Sequence, residues 1–334
     1  MKSFWNNLPQ PFFALAPMEA VTDVVFRHVV QRAGAPDVFF TEFANATGWV
    51  HAGDKAIAGR LLKTSDEHPL VAQIWGGEPG DMEQFAAHCA RLGFDGIDIN
   101  MGCPAKSAIK SGGAALIRRP DVAVAAIHAA KTAGLPVSVK TRLGYTYVEE
   151  WREWLRTLLE QDIVNLTIHL RTKKEMSKAP AHYELIGDIV MLRDTVAPHT
   201  LLMINGDIRD RGHGLALAGA HPGVNGIMIG RGVFANPFCF AAGDTGYLHS
   251  QNNLEQNKAI SIDDDSVTAR YTELFDLLNY HLDLFDRYQP QTGRPFETLK
   301  RFFKIYIKGF DGAKELRDQL MHAASTDEVR RIIM

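Results

Sequence analysis

Cysteine is scarce in this chain: its 334 residues carry three, Cys89, Cys103 and Cys239, widely spaced and odd in number. That argues against a disulfide framework and for a reducing compartment. No CxxC pair occurs, so a structural zinc module is not expected. No apolar run is long enough to span a bilayer. The N-terminal MKSFWNNLPQPFF lacks the continuous apolar core of a signal peptide, and a cytoplasmic protein is expected. Neither sign of charge is in large excess: the formal net charge is −3 with 22% charged residues, so any nucleic-acid surface must be local. What is present is an ordinary globular composition, 46% apolar, in a chain long enough for one large domain and a smaller one.

Short apolar runs alternate with longer amphipathic ones as far as residue 240. FFALAPM (12–18), VFFTEF (38–43), PLVAQIWG (69–76), GIDINMG (96–102), PVSVKTRL (136–143), NLTIHL (165–170), LLMING (201–206) and GIMIG (226–230) read as strands. Their near-continuous apolar character suits parallel strands covered on both faces. Between them lie helical patterns such as TDVVFRHVVQRAG, DMEQFAAHCARLG and PDVAVAAIHAAKTAG, several closing on glycine. Eight strand–helix units in about 240 residues predict a (β/α)8 TIM barrel, with a doubly wound open sheet as the rival.

Nearly every strand ends in a polar residue that its apolar body does not explain: Glu42, Gln73, Asn100, Lys140, His169, Asn205 and Arg231. In a (β/α)8 barrel these ends line the active site. After a polar, aperiodic stretch the pattern is purely helical. The expected division is a catalytic barrel over 1–242, a linker over 243–265 and a small C-terminal all-helical domain over 266–334. One expected helix, TLKRFFKIYIKGF, carries Lys300, Lys304 and Lys308 at i, i+4 and i+8, with Arg301 beside them and Arg294 just before. A solvated face explains such a stripe, and so does a phosphate-tracking surface.

Two glycine-bearing turns, INGDI (204–208) and IGRGVFANP (229–237), follow the last two barrel strands, where this fold commonly binds phosphate. Arg231 would add a charge-assisted contact. Neither turn is a Walker or dinucleotide fingerprint. Lys140 and His169 on neighbouring strands could stabilise negative charge on a planar ring, as a reduced flavin needs, and Gln73 could bond the same edge. A Schiff-base lysine and a satisfied core histidine are the bland alternatives.

These motifs converge. ALAPMEAVTDVVFR, QIWGGEP, GIDINMGCPAKS, VSVKTRLGY, LTIHLRT, INGDI and GIMIGRGVFANPF resemble the dihydrouridine synthases, and KRFFKIYIKGFDGAKELRDQL resembles that family's helical RNA-binding domain. The resemblance runs from residue 12 to residue 325. It implies a bacterial-type enzyme that reduces uridine in tRNA with FMN, recharged by NADPH. By position, Pro17 and Met18 would pack on the flavin, and Gln73, Lys140 and His169 would bind its ring. Asn205, Gly206, Asp207, Gly230 and Arg231 would hold its ribityl phosphate end. Asn100 would lie beside the target uracil, and Lys106, Arg142 and Arg171 would face RNA near the mouth, with Arg294, Lys300, Arg301, Lys304 and Lys308 as contacts on the helical domain. No membrane and no obligate protein partner is implied, and a monomer is expected. Two stretches depart from the family pattern: KSGGAALIRRP is one residue short of the usual G-x-G, and KKEMSKAPAHYEL replaces a run with an aromatic and glycine.

Cys103 follows a buried strand, between Gly102 and Pro104, where the chain turns towards a ligand. Carbon 6 of uracil is the electrophilic end of its conjugated double bond, so a hydride goes there and carbon 5 must then be protonated. A thiol with a pKa of about 8.5 is protonated near neutrality and can be that acid. The rival readings are an FMN-dependent small-molecule oxidoreductase of the dihydroorotate dehydrogenase or enoate reductase type, and an RNA-binding protein without catalysis.

Overall fold

The structure, a computed structural model, describes residues 3–57, 59–242 and 265–334, with side chains from 271 in the last stretch. Among the described residues nine parallel strands form: β1 Phe12–Leu15, β2 Phe39–Phe40, β3 Ala44–Asn45, β4 Leu70–Trp75, β5 Gly96–Asn100, β6 Val137–Arg142, β7 Asn165–His169, β8 Leu201–Asn205 and β9 Gly226–Ile229. Their order is β1-β9-β8-β7-β6-β5-β4-β2, with β3 added beside β4. A parallel bridge between Ala14 and Val38, with the Val38 N–H donating to the Phe13 carbonyl at 3.1 Å, returns the path from β2 to β1. The sheet therefore closes, and the expected (β/α)8 barrel is the observed one.

Helices α1 Val24–Gly34, α2 Ala46–Ala52, α3 Pro79–Arg91, α4 Pro120–Lys131, α5 Trp151–Leu159, α6 Ile186–Val196, α7 Arg211–Ala220 and α8 Gly232–Ala235 alternate with the strands. Their starts follow local chemistry. Proline opens α3 and α4, where no N–H is needed. The Asp210 carboxylate caps α7 by accepting the His213 N–H at 2.8 Å. In α5 the buried residues Trp151, Trp154, Leu155, Leu158 and Leu159 recur at helical spacing. The Trp154 indole N–H donates to Thr141 Oγ1 at 2.9 Å, pinning the helix to β6.

Inside the barrel, side chains of alternate strand residues meet in layers. One layer is wholly apolar: Trp5, Phe12, Ala14, Val38, Phe40, Val71, Met203 and Met228 are buried together. Trp5 comes from outside the strands, on the short helix Phe4–Asn7, and its ring meets Phe12 edge-on at 5.8 Å between centroids. Along the strands the inward residues turn polar: Gln73 stands opposite Asp98, Asp98 opposite Ser138, Asn100 opposite Lys140, and His169 opposite Asn205.

The described residues group into two compact units, Met1–Asp23 with Pro36–Gly230, and Val24–Ala35 with Arg231–Met334. Sequence order alone assigns residues 24–35 to the barrel. The structure groups them with the C-terminal helices because Phe26 is buried against Phe234, His281 and Phe302. That second unit contains helices Asp265–Thr292, Ala313–His322 and Thr326–Ile333, with two four-residue helices, Glu297–Lys300 and Phe303–Tyr306, between the first and the second. Most of the expected linker, 243–264, lies outside the described residues.

One sequence expectation is corrected here. TLKRFFKIYIKGF is not a continuous helix but two four-residue helices separated at Arg301 and Phe302. Phe302, Phe303, Ile305, Tyr306 and Ile307 are all buried, which one straight amphipathic helix cannot achieve for five residues in six. Among the described residues, no helix is long and apolar enough to cross a membrane.

The apolar layer generates a stability test. The Trp5 indole N–H has no hydrogen-bond partner among the described residues, so packing is what holds this ring. Trp5→Ala should cost about 3–5 kcal/mol, and Trp5→Phe clearly less, in thermal melts of the full chain.

Candidate active site

The polar ends of β4 to β8 form a hydrogen-bonded network whose direction is set by the backbone. The Asn100 Oδ1 accepts the N–H of Gly102 at 3.0 Å and of Cys103 at 2.9 Å. With its oxygen so used, its amide nitrogen faces Gln73 and donates to Gln73 Oε1 at 2.9 Å. Gln73 is thereby oriented in turn, and its Nε2 donates to Asp98 Oδ2 at 2.6 Å. The Ser138 hydroxyl donates to the other oxygen of Asp98 at 2.6 Å. Burial pushes the Asp98 carboxyl up to about 6, against the pull of these donors and of the Lys140 charge.

Cys103 sits half-buried on the turn that this network holds. Its carbonyl accepts the Ala114 N–H at 3.0 Å, which folds the KSGGAAL stretch back on it. Gly113 has φ +55°, and a Cβ there would lie 2.9 Å from the Cys103 carbonyl oxygen, so glycine is required at this crossing. Burial raises the thiol above its ordinary value, only partly offset by the Ala105 N–H and the charge of Arg142.

Lys140 stands on the next strand, half-buried, and donates to Asn205 Oδ1 at 3.5 Å. Burial first, and the Arg142 charge second, bring its ammonium down to about 8. Asn205 is fixed from its other side, donating to the Met228 carbonyl at 2.8 Å. His169 lies across from Asn205, and its Nε2 accepts from Arg171 at 3.1 Å, which leaves the ring proton on Nδ1. Gly206 is buried with φ +129°; a Cβ there would meet Ala181 at 3.1 Å and the His169 ring at 3.3 Å. Pro17 is buried and Met18 half-buried on the turn after β1, where the Met18 N–H donates to Thr22 Oγ1 at 2.9 Å.

The expected residues thus divide. Gln73, Asn100, Cys103, Lys140 and Asn205 are joined through hydrogen bonds and strand register, with His169 and Gly206 beside them. Arg142 and Arg171, expected to face RNA, are instead 7% and 2% exposed. Arg142 donates to the Gly102 carbonyl at 2.8 Å and to the Thr172 and Met176 carbonyls at 3.1 and 2.9 Å. Arg171 donates to the Ala179 carbonyl at 2.5 Å and pairs with Asp207. Both guanidinium groups are engaged in fastening loops. Asp207, at φ +52°, also accepts the Ala181 N–H at 3.3 Å. Lys106 is exposed on the cysteine turn.

In the second unit, Arg231 is exposed where it opens α8. Lys308, expected to contact phosphate, donates instead to the Ala235 carbonyl, and burial brings its ammonium down to about 8. Lys300, Arg301 and Lys304 line a groove of about 710 Å³ together with Lys314 and Arg317, floored by Phe303 and Met321. Glu315 and Asp318 also line it, which leaves cations in excess. Arg294 is half-buried.

Sequence reasoning passed over Asp98 and Ser138. The signal was there: in an otherwise apolar strand, Asp98 and Asn100 are two residues apart and so share a face. Within KKEMSKAPAHYEL, already singled out by sequence, the pairing of His182 with both Glu175 and Glu184, at 2.8 and 2.7 Å, was not foreseen.

Comparison with known proteins gives the family. The family model described as "Dihydrouridine synthase (Dus)" matches residues 14–333. A Bacillus subtilis protein named "Probable tRNA-dihydrouridine synthase 2" is 55% identical over 99% of this chain and 96% of its own length. A Staphylococcus aureus protein named "Probable tRNA-dihydrouridine synthase" is 52% identical over 99% of this chain and 95% of its own length.

The network generates a pH test. A carboxyl raised above its unfolded value favours the fold when protonated, so its contribution is complete below about 4 and is lost as pH rises through about 6. Melting temperatures of wild type and Asp98→Asn, measured from pH 4 to 7, should therefore show a wild-type decline in this window that the variant lacks. A difference between the two that does not change with pH would remove Asp98 from this account.

Proposed function

The chain belongs to the dihydrouridine synthase family, and on that premise we propose that its barrel mouth reduces the carbon 5–carbon 6 double bond of uridine in tRNA to 5,6-dihydrouridine. The observation that carries the mechanism is a half-buried thiol, kept protonated, on a turn fixed by buried amides.

The residues present fit FMN. Lys140 is a cation with a single long hydrogen bond of 3.5 Å to Asn205, suited to the electron-rich edge of a flavin ring. Gln73 on β4 and His169 on β7 add oriented polar groups, and Gly206, where a Cβ would crowd Ala181 and the His169 ring, lets the backbone pass close beside that ring. Pro17 and Met18 offer an apolar wall. Asn205, Gly206 and Gly230 serve the phosphate end, Asp207 acts there through Arg171, and the exposed Arg231 follows Gly230 in the chain. Bound FMN would supply the hydride for carbon 6, with NADPH as the reductant.

Cys103 then gives its proton to carbon 5. Burial serves this role, because a thiol raised above about 8.5 stays protonated across neutral pH. Asn100 has both sides of its amide committed, to the cysteine turn and to Gln73, and so presents a fixed group beside the target base. Arg142 ties Gly102 to the loop after β7, holding the cysteine turn from its other side.

The target base must leave its stack to enter the mouth, which needs a grip on the surrounding RNA. Lys300, Arg301 and Lys304, joined by Lys314 and Arg317, form that grip, with Arg294 and Lys106 as further phosphate-binding cations. Acting on tRNA, the enzyme works in the cytoplasm. The reading takes the enzyme to act as a monomer.

Two experiments test this reading. Unmodified tRNA incubated with NADPH and the flavin-loaded protein should yield dihydrouridine by nucleoside mass spectrometry, and Cys103→Ala should yield at least tenfold less. The wild-type rate should hold through neutrality and fall only above the ordinary thiol range, as Cys103 ionises. Equal product from both proteins would take the proton-donor role from Cys103. Replacing Lys300, Arg301 and Lys304 together by alanine should weaken tRNA binding. It should also flatten the slope of log affinity against log salt by about 0.7–0.9 for each phosphate that the variant no longer neutralises.

A further inference from the structure

On the loop after β6, Tyr147 is 65% exposed. A single exposed aromatic needs no explanation, but this one is held and surrounded in a particular way. Glu150 accepts the N–H groups of Tyr145, Thr146 and Tyr147 at 2.6, 3.1 and 2.9 Å. Burial works against this carboxylate, yet the three backbone donors hold it below its ordinary value, so the clamp is ionised and closed at neutral pH. Tyr147 is thus presented on a preorganised turn at the end of a barrel strand.

Cations crowd the same rim. Arg118 stacks over the Tyr145 ring at 3.9 Å and donates to Thr146 Oγ1 at 3.1 Å. Lys173 stands 4.8 Å from the centre of the Tyr145 ring, and Lys174 5.8 Å from that of Tyr147. The backbone N–H groups of these lysines donate to the Gly144 and Tyr145 carbonyls at 2.8 and 2.9 Å, which fastens the loop after β7 to the loop after β6. Of the nearby carboxylates, Glu150 is spent on the clamp and Glu175 on the Thr172 N–H and His182. Glu149 is left exposed against three cations.

An exposed ring flanked by cations matches the chemistry of an unpaired nucleotide, whose base stacks and whose phosphate is anionic. An acidic peptide would use the charges but not the ring face. We propose that Tyr147 is a stacking platform for an unpaired nucleotide of the RNA substrate, with Arg118, Lys173 and Lys174 holding the adjoining phosphates. The loop that carries these lysines is tied by Arg142 to Gly102, one residue before Cys103, so a nucleotide seated there is registered against the reacting turn. The proposal rests on the reading of the substrate as tRNA.

The test is equilibrium binding of unmodified tRNA to the full-length, flavin-loaded protein, with folding checked by thermal melt. Tyr147→Ala should weaken binding by about fivefold or more, and Tyr147→Phe should bind as wild type does, because stacking needs the ring and not the hydroxyl. The Lys173→Ala, Lys174→Ala double variant should reduce the salt slope by about 1–2. If wild type fails to bind tRNA, the substrate reading falls and this proposal with it. If wild type binds and Tyr147→Ala binds within twofold of it, only the stacking platform is overturned. Should Tyr147→Ala not fold, the double variant decides, and an unchanged salt slope overturns the proposal.

Discussion

The structure of the mouth depends on one acceptor, the side-chain oxygen of Asn100. Two consecutive backbone N–H groups, of Gly102 and Cys103, converge on it. Because those donors cannot be reversed, the Asn100 amide has one orientation. Gln73 inherits its own from Asn100, and Asp98 ends the chain as an acceptor for both Gln73 and Ser138. In a buried setting each misoriented amide would face donor with donor, at a cost of about 1–3 kcal/mol. A single backbone turn thus specifies the presentation of three side chains and holds the thiol in place.

Positive charge in this protein is put to two different uses, which its count does not reveal. Arg142, Arg171 and Lys308 point at backbone carbonyls and fasten loops. Arg118, Lys173 and Lys174 gather on the barrel rim, and Lys300, Arg301 and Lys304 line a groove on the C-terminal helices. The division follows from solvation. A guanidinium has five donors in a fixed fork, so it can be buried where several carbonyls converge. An ammonium near apolar surface is driven towards its neutral form, as Lys140 and Lys308 both are.

The thiol and the ammonium at the mouth are both displaced by burial towards their uncharged forms, yet with opposite consequences. A raised thiol keeps its proton at neutral pH. A lowered ammonium at about 8 still carries its charge at neutral pH, and releases it only above. The same desolvation therefore keeps the thiol protonated and works against the ammonium's charge, which persists at neutral pH only because its shift stops at about 8.

Apolar runs and their spacing pointed to eight parallel strands, because strands buried on both faces admit few other arrangements, but closure over an open sheet and the short added strand Ala44–Asn45 were decided by the fold. Polar residues at the strand ends marked the mouth, and Cys103 stood out on the turn beside them. Period and composition could not say where long side chains end. Arg142 and Arg171 read as surface cations next to a motif, and only the fold brought the Thr172, Met176 and Ala179 carbonyls to them. Likewise Lys300, Lys304 and Lys308 have helical spacing, but burying Phe302, Phe303, Ile305, Tyr306 and Ile307 at once broke the helix and turned Lys308 away from its stripe. Sequence determines which residues are apolar and in what period. Tertiary structure decides which donors meet which acceptors, because that depends on backbone groups brought together from distant parts of the chain.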